Sequence, residues 1–233
     1  MPKSTAWLDA NASPSEPDGT YWVPLALRDE LDAVWNAEVE EQFDAYFKSP
    51  ANPWLHVETF EDLRILMLRY ILGREPMTPH SAGPLDEESK QILDKLIRIN
   101  ELGAISFSSQ PGRLDQWGRQ RAYLQILVDD SVVPALRDMA EGNGLVWASN
   151  PHQALEPEYG QFVVTENAEG EGYTFAPIGI AYPLGPVYPT IRAIQEIAAA
   201  RTSVSVADTD WNTNRLFDLV IEVLERAQRS AEG

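Results

Sequence analysis

Residues 100–124 read N-E-L-G-A-I-S-F-S-S-Q-P-G-R-L-D-Q-W-G-R-Q-R-A-Y-L, and the order of residue types in them decides the fold class. Asn100 to Gly103 has the character of a helix end, because glycine accepts the left-handed backbone that follows a last helical turn. Ala104–Phe107 is a short apolar and aromatic run suited to a strand, and Arg121–Val128 is a second one. Between them the segment Ser106 to Arg113 carries the pair P-G, in which proline sets φ and glycine permits a positive one, so it predicts the turn that joins two strands. A helical pattern thus gives way to a β pattern near the middle of the chain.

On the N-terminal side the helical pattern is repeated. Leu27, Leu31, Val34, Trp35, Val39, Phe43, Tyr46 and Phe47 recur at three and four residues, which predicts an amphipathic helix over 27–47. Its other face holds Asp29, Glu30, Asp32, Glu38, Glu40, Glu41 and Asp44 with no basic residue among them. Pro50 and Pro53 close it. Thr59 is placed to cap a second helix, with Asp62 favourable at the positive end of the macrodipole and Leu63, Leu66, Met67, Tyr70 and Ile71 forming the buried stripe. Asp86 is placed to cap a third, whose Ile92, Leu93, Leu96 and Ile97 face inward. Residues 1–24 are rich in Pro, Ser, Asn and Asp and predict a flexible arm.

On the C-terminal side Val132, Val133, Leu136 and Met139 predict a helix that starts near Asp130 or Ser131 and ends at Gly142, followed by a strand at Leu145–Ala148. Strand, helix and strand in so short a stretch resemble a crossover unit. Gln161–Glu166 and Gly172–Ala176 flank A-E-G-E as a hairpin, and Ser203–Val206 is a further β-like run. Helices are expected at Pro189–Arg201 and Asn212–Arg229. The expected architecture is α+β: a mixed β-sheet packed against an N-terminal helical layer, with 25–233 forming a single domain behind the 1–24 arm.

Composition excludes several classes of function. Thirty-six acidic against 18 basic residues give a net charge of -18, which opposes a non-specific grip on nucleic-acid phosphates. No cysteine is present, so disulfides, thiolate nucleophiles and cysteine-ligated metals are excluded. No apolar run reaches signal-peptide or membrane-spanning length, so a cytoplasmic protein without membrane association is expected. His56, His80 and His152 lack the spacing of a helical metal site, G-N-G at 142–144 lacks the phosphate-loop lysine, and no G-x-S-x-G sequence marks a nucleophile. Neither a cofactor nor a metal site is expected, and no catalytic set is assigned.

Two candidate sites remain. Ser109, Gln110, Arg113, Arg119 and Arg121 surround the expected P-G turn, and arginine's planar fork suits a carboxylate or phosphate, so they are the candidate contacts for a small anionic ligand. Alternation along a strand sends Arg119 and Arg121 to the same face. The competing reading is that these arginines neutralise neighbouring carboxylates. Glu38, Glu40 and Glu41 are the candidate contacts for a basic protein partner. Asp208 and Asp210 follow a predicted strand, where Asp210 caps the next helix or the pair holds a cation. The stiff run Ile178–Pro189 is a connecting loop or the wall of a pocket.

The motifs D-E-E-S at 86–89, L-x-x-L-x-x-x-N at 93–100, G-x-x-S-x-S-S-Q-P-G at 103–112, W-x-x-Q-R-A at 117–122 and D-x-D-W-N-x-N-x-L-F at 208–217 resemble an uncharacterised domain family of actinobacteria and their phages. That resemblance spans roughly residues 59–224 and implies that Asn100, Ser109, Gln110, Gly112, Gln120, Arg121 and Trp211 meet around one feature of the fold. It implies no activity. The readings carried forward are an acidic binding or regulatory protein of immunity, antitoxin or phage-accessory type, and an enzyme or sensor for a small anionic metabolite such as a nucleotide, with Ser109 or His152 as its reactive group.

Overall fold

The computed structural model describes residues 41–42, 45–79, 83–116, 118–150, 160–170, 172–178, 194 and 196–232. The arm at 1–24, most of the helix expected over 27–47, His80, His152 and the run after Ile178 lie outside these residues. Four helices are described in full: α1 (Phe60–Ile71), α2 (Leu93–Glu101), α3 (Val133–Gly142) and α4 (Arg215–Glu232). Eight strands lie among the described residues: β1 (Ile105–Gln110), β2 (Arg113–Asp115), β3 (Gly118–Gln120), β4 (Tyr123–Val128), β5 (Val146–Asn150), β6 (Gly160–Asn167), β7 (Gly172–Ile178) and β8 (Thr202–Ala207).

Local chemistry accounts for the helix starts. The Thr59 hydroxyl accepts from the Asp62 amide while the Asp62 carboxylate accepts from the Thr59 amide, a reciprocal capping box that satisfies two amides α1 would otherwise strand. Asp86 accepts from the Ser89 amide at 2.7 Å and from the Ser89 hydroxyl at 2.9 Å, opening a short 3-10 turn at Ser89–Ile92 that runs into α2. Along α4, Leu216, Phe217, Val220, Val223 and Leu224 recur at helical spacing and are all buried.

The strands form two sheets, in the orders β1-β4-β8-β5 and β2-β3-β6-β7. The mixed sheet expected from the sequence is corrected here: every described pairing is antiparallel. The crossover pattern was present but incomplete, because β4 and β5 are parallel to each other and β8, about 50 residues later in the chain, inserts between them and is antiparallel to both. The helical layer is also not purely N-terminal. α2 packs on both α1 and α4, and α3 packs on α4, so the last helix completes the layer over the first sheet. Leu124 and Ile126 stand opposite Val206 and Val204, and these join the helix stripes in one contiguous core.

A second correction concerns the P-G turn. The chain does not reverse there. β1 continues into β2 across Pro111–Gly112 and β3 continues into β4 across Arg121–Ala122, so residues 105–128 form one long hairpin whose reversal lies beyond Asp115. Pro111 cannot donate to a ladder and ends β1, and the hairpin bends from the first sheet into the second. At Gly118, φ is 151°, and a Cβ would stand 2.0 Å from the Glu166 carbonyl oxygen, so only glycine fits the base of the reversal.

Candidate functional site

The corner of the hairpin gathers most of the residues that the motifs singled out. Its backbone groups are satisfied by segments distant in sequence: the Arg121 amide donates to the Val164 carbonyl at 2.7 Å, the Asp208 amide to Ala122 at 2.8 Å, and the Asn212 amide to Gln120 at 2.9 Å. Gln110 is buried, its amide nitrogen donating to the carbonyls of Arg121 and Val164 while its oxygen accepts from the Thr165 hydroxyl. The Gly112 amide donates to the Asn214 side chain at 2.8 Å. The 208–214 loop is pinned in turn by Asp208, fully buried, whose carboxylate accepts from the Arg215 guanidinium.

The three arginines are engaged within this corner. Arg121 lies over the Trp211 ring at 3.8 Å and over Phe162 at 4.8 Å, and donates to the Val163 carbonyl at 2.7 Å. Burial pushes its pKa below the usual range for a guanidinium. Arg119 stacks on Trp211 at 4.4 Å and pairs with Glu166 at 2.6 Å. Arg113 pairs with Asp115 at 3.0 Å. Arg119 and Arg121 do share a face, as strand alternation requires, but what they share is the Trp211 ring. Gln110, Gly112, Gln120, Arg121 and Trp211 therefore meet at one structural joint. Asn100 does not; it lies at the far end of β1.

A cavity of about 330 Å³ opens on the other side of the same strand, between β1, α1 and the turn capped by Asp86. Met67 and Ile71 of α1, Leu85 and Leu96 give it apolar walls, and Tyr70, Phe107 and Tyr123 contribute rings. Hydroxyls enter from Thr78, Ser89, Ser106, Ser108 and Ser109. Regular alternation would turn every second β1 side chain away from the cavity. A bulge prevents this: Ser106 pairs with Ile126 and Ser108 with Gln125, so Phe107 is the extra residue that resets the pleat. Ser106 and Ser109 are thereby brought to the same face, and all four residues 106–109 border the cavity.

Asn100 fixes the near end of that wall. Fully buried, it donates from its amide nitrogen to the Leu96 carbonyl at 2.8 Å and to the Ser106 hydroxyl at 2.7 Å, while its own carbonyl accepts from Arg64 at 2.6 Å. At the far end the Ser108 and Tyr123 hydroxyls share a hydrogen bond of 3.2 Å. Burial raises the Tyr123 pKa, and the nearby carboxylates Glu88 and Asp86 raise it further. Glu88 is also raised, chiefly by burial; the Arg113 charge and the Gln120 side chain pull the other way. Its Oε1 is buried without a hydrogen-bond partner among the described residues.

Of the five candidate ligand contacts, Ser109 lines the cavity, whereas Gln110, Arg113, Arg119 and Arg121 are not among its lining residues. Of the candidate partner contacts, Glu41 is described and exposed; Glu38 and Glu40 lie outside the described residues. Asp208 and Asp210 both face Arg215, at 2.9 and 3.1 Å, so a guanidinium occupies the place a cation would take. No group of three or more His, Asp or Glu with metal-binding geometry occurs among the described residues. His56 is an exposed residue of the 3-10 turn at Pro53–His56. Among the described residues no helix is long and apolar enough to cross a membrane.

Residues 49–227 match the model of a protein family described as a domain of unknown function (DUF6919). The chain belongs to this family. The match covers about three-quarters of its length and contains the hairpin corner, the cavity, α1 to α3 and most of α4. A search of curated proteins finds no match. Sequence reasoning missed Tyr70, Asp86 and Tyr123 as site residues. Asp86 was visible only as a helix cap, and the two tyrosines were visible only as members of apolar runs.

Proposed function

We propose that the protein binds a small polar molecule in the cavity between α1 and β1. The observation that supports this reading best is a cavity of about 330 Å³ lined by apolar residues and by 106–109, in which the Phe107 bulge brings Ser106 and Ser109 to the same face of β1. That volume lies at the lower end of the range for small-molecule sites, and apolar walls with a few convergent polar groups are the usual composition of such sites. A bulge kept inside a strand costs ladder pairing, and sites that re-aim side chains are where bulges concentrate. A nucleotide-like anion is disfavoured, because no basic side chain lines the cavity among the described residues and Asp86 does.

The test is a thermal-shift and ligand-observed NMR screen of small polar compounds against the parent and Ser109→Phe, which fills the cavity. A hit at 100 times its dissociation constant adds about 2.7 kcal/mol to the stability of the parent. Loss of the hits in a folded Ser109→Phe protein supports the reading; hits that survive, or a screen without hits, overturn it. The basic-partner reading keeps one supporting observation, the exposure of Glu41 on a helical segment. Its test is association rate against salt for Glu38→Gln, Glu40→Gln and Glu41→Gln combined, since charge steering acts mainly on the rate of encounter.

A further inference from the structure

Resting on that cavity reading, we infer that the ligand is a small organic cation, an amine or quaternary ammonium compound that also carries a hydroxyl group. Three kinds of group converge on the cavity to recognise it. Tyr70, Phe107 and Tyr123 border the cavity from α1, β1 and β4, and aromatic rings attract a positive charge through the ring quadrupole, most strongly where water is excluded. Asp86 supplies a carboxylate at the exposed side of the cavity. Its two oxygens each accept one bond from Ser89, which leaves acceptor capacity on both, since an ionised carboxylate accepts about four hydrogen bonds. The serine hydroxyls of β1 then match a polar group on the ligand.

The surrounding charge favours the same sign. Among the described residues no lysine or arginine lines the cavity. Arg113, whose charge acts on Glu88, is itself paired with Asp115. Burial is the main reason the Tyr123 hydroxyl keeps its proton, and the Glu88 and Asp86 carboxylates nearby add to it. An anion in the same place would be repelled by these carboxylates.

The test compares choline with 3,3-dimethylbutan-1-ol, which has the same shape without the charge, by NMR titration of the full chain in about 150 mM salt, where long-range attraction to the acidic surface is screened. Choline is expected to bind at least about tenfold more tightly, a difference within reach of a cation over aromatic faces beside a carboxylate. Asp86→Asn keeps the helix cap and should remove most of that preference; Ser109→Phe should abolish binding of both compounds. Equal binding of the two compounds, both blocked by Ser109→Phe, leaves a polar-ligand site and overturns the cation inference. A choline preference unchanged in Asp86→Asn and Ser109→Phe overturns it as well, by placing the cation elsewhere. If neither compound binds at millimolar concentration while other polar compounds do, the inference falls and the cavity reading stands.

Discussion

Gly112→Ala tests the hairpin corner where the sequence motif and the structure meet. A Cβ at position 112 would stand 2.2 Å from the Thr213 carbonyl oxygen and 2.5 Å from the Thr213 amide nitrogen. Both are backbone atoms, so relief requires the 208–214 loop to retreat by about 1 Å to reach ordinary contact distance. That loop is held by the bond from Gly112 to Asn214 and by the bond from Asn212 to Gln120, each worth about 1 kcal/mol. Overpacking of this kind costs about 1–3 kcal/mol. The expected loss is about 3 kcal/mol, which lowers Tm by about 6–12 °C in a chain of this size. Gly142→Ala is the control: it ends α3 with nothing within 4 Å of an added Cβ and should be neutral or stabilising by up to about 1 kcal/mol. Urea unfolding of both variants measures the difference. A Gly112→Ala protein within about 0.5 kcal/mol of the parent would refute the corner as a close-packed joint.

Glu88→Gln probes pH dependence. The folded pKa of Glu88 is raised, so its protonated form is favoured by the fold; that contribution is present below the unfolded value near 4.3 and is lost as pH rises through the folded value. The variant should therefore be more stable than the parent at pH 7 and indistinguishable from it at pH 4 in urea melts, and the opposite order would show that Arg113 outweighs burial. Asn100→Ala removes the bonds to Leu96 and Ser106 and should cost about 2–3 kcal/mol. Asn100→Asp should cost more, because a buried acceptor-only carboxylate then faces the Leu96 carbonyl; thermal unfolding that ranks Asp above Ala would contradict this. In a double-mutant cycle, Arg121→Ala and Trp211→Ala should couple by about 1 kcal/mol, and a coupling of zero would show that the stack contributes no energy.

The helices were legible because their determinants are local. The Thr59–Asp62 cap and the α4 stripe each depend on residues three or four apart and are present as read, while Asp86 caps the 3-10 turn that precedes α2 rather than α2 itself. The hairpin Gln161–Ala176 was legible for the same reason. The P-G pair misled because its two residues have two uses. Proline ends pairing and glycine admits a close neighbour, and either a reversal or a bend between sheets satisfies both properties; Thr213, about 100 residues away, makes it a bend. The arginines misled because a charge beside a strand does not announce its partner. Glu166 and Trp211 engage Arg119 from separate elements.

Amino-acid order alone settled that the chain is α+β and that cysteine chemistry plays no part. The meeting of the Q-P-G and Q-R motifs with D-x-D-W-N-x-N at one joint was implied by their co-occurrence, but its physical content appears only in the contacts. Tertiary structure decided the antiparallel order of the sheets, the insertion of β8 between β4 and β5, and the cavity. A helix cap or apolar stripe is set by neighbours within one turn, whereas a register, a bulge or a cavity depends on which distant strand supplies the partner. One residue of slip at Phe107 is enough to turn a serine from one face of a strand to the other.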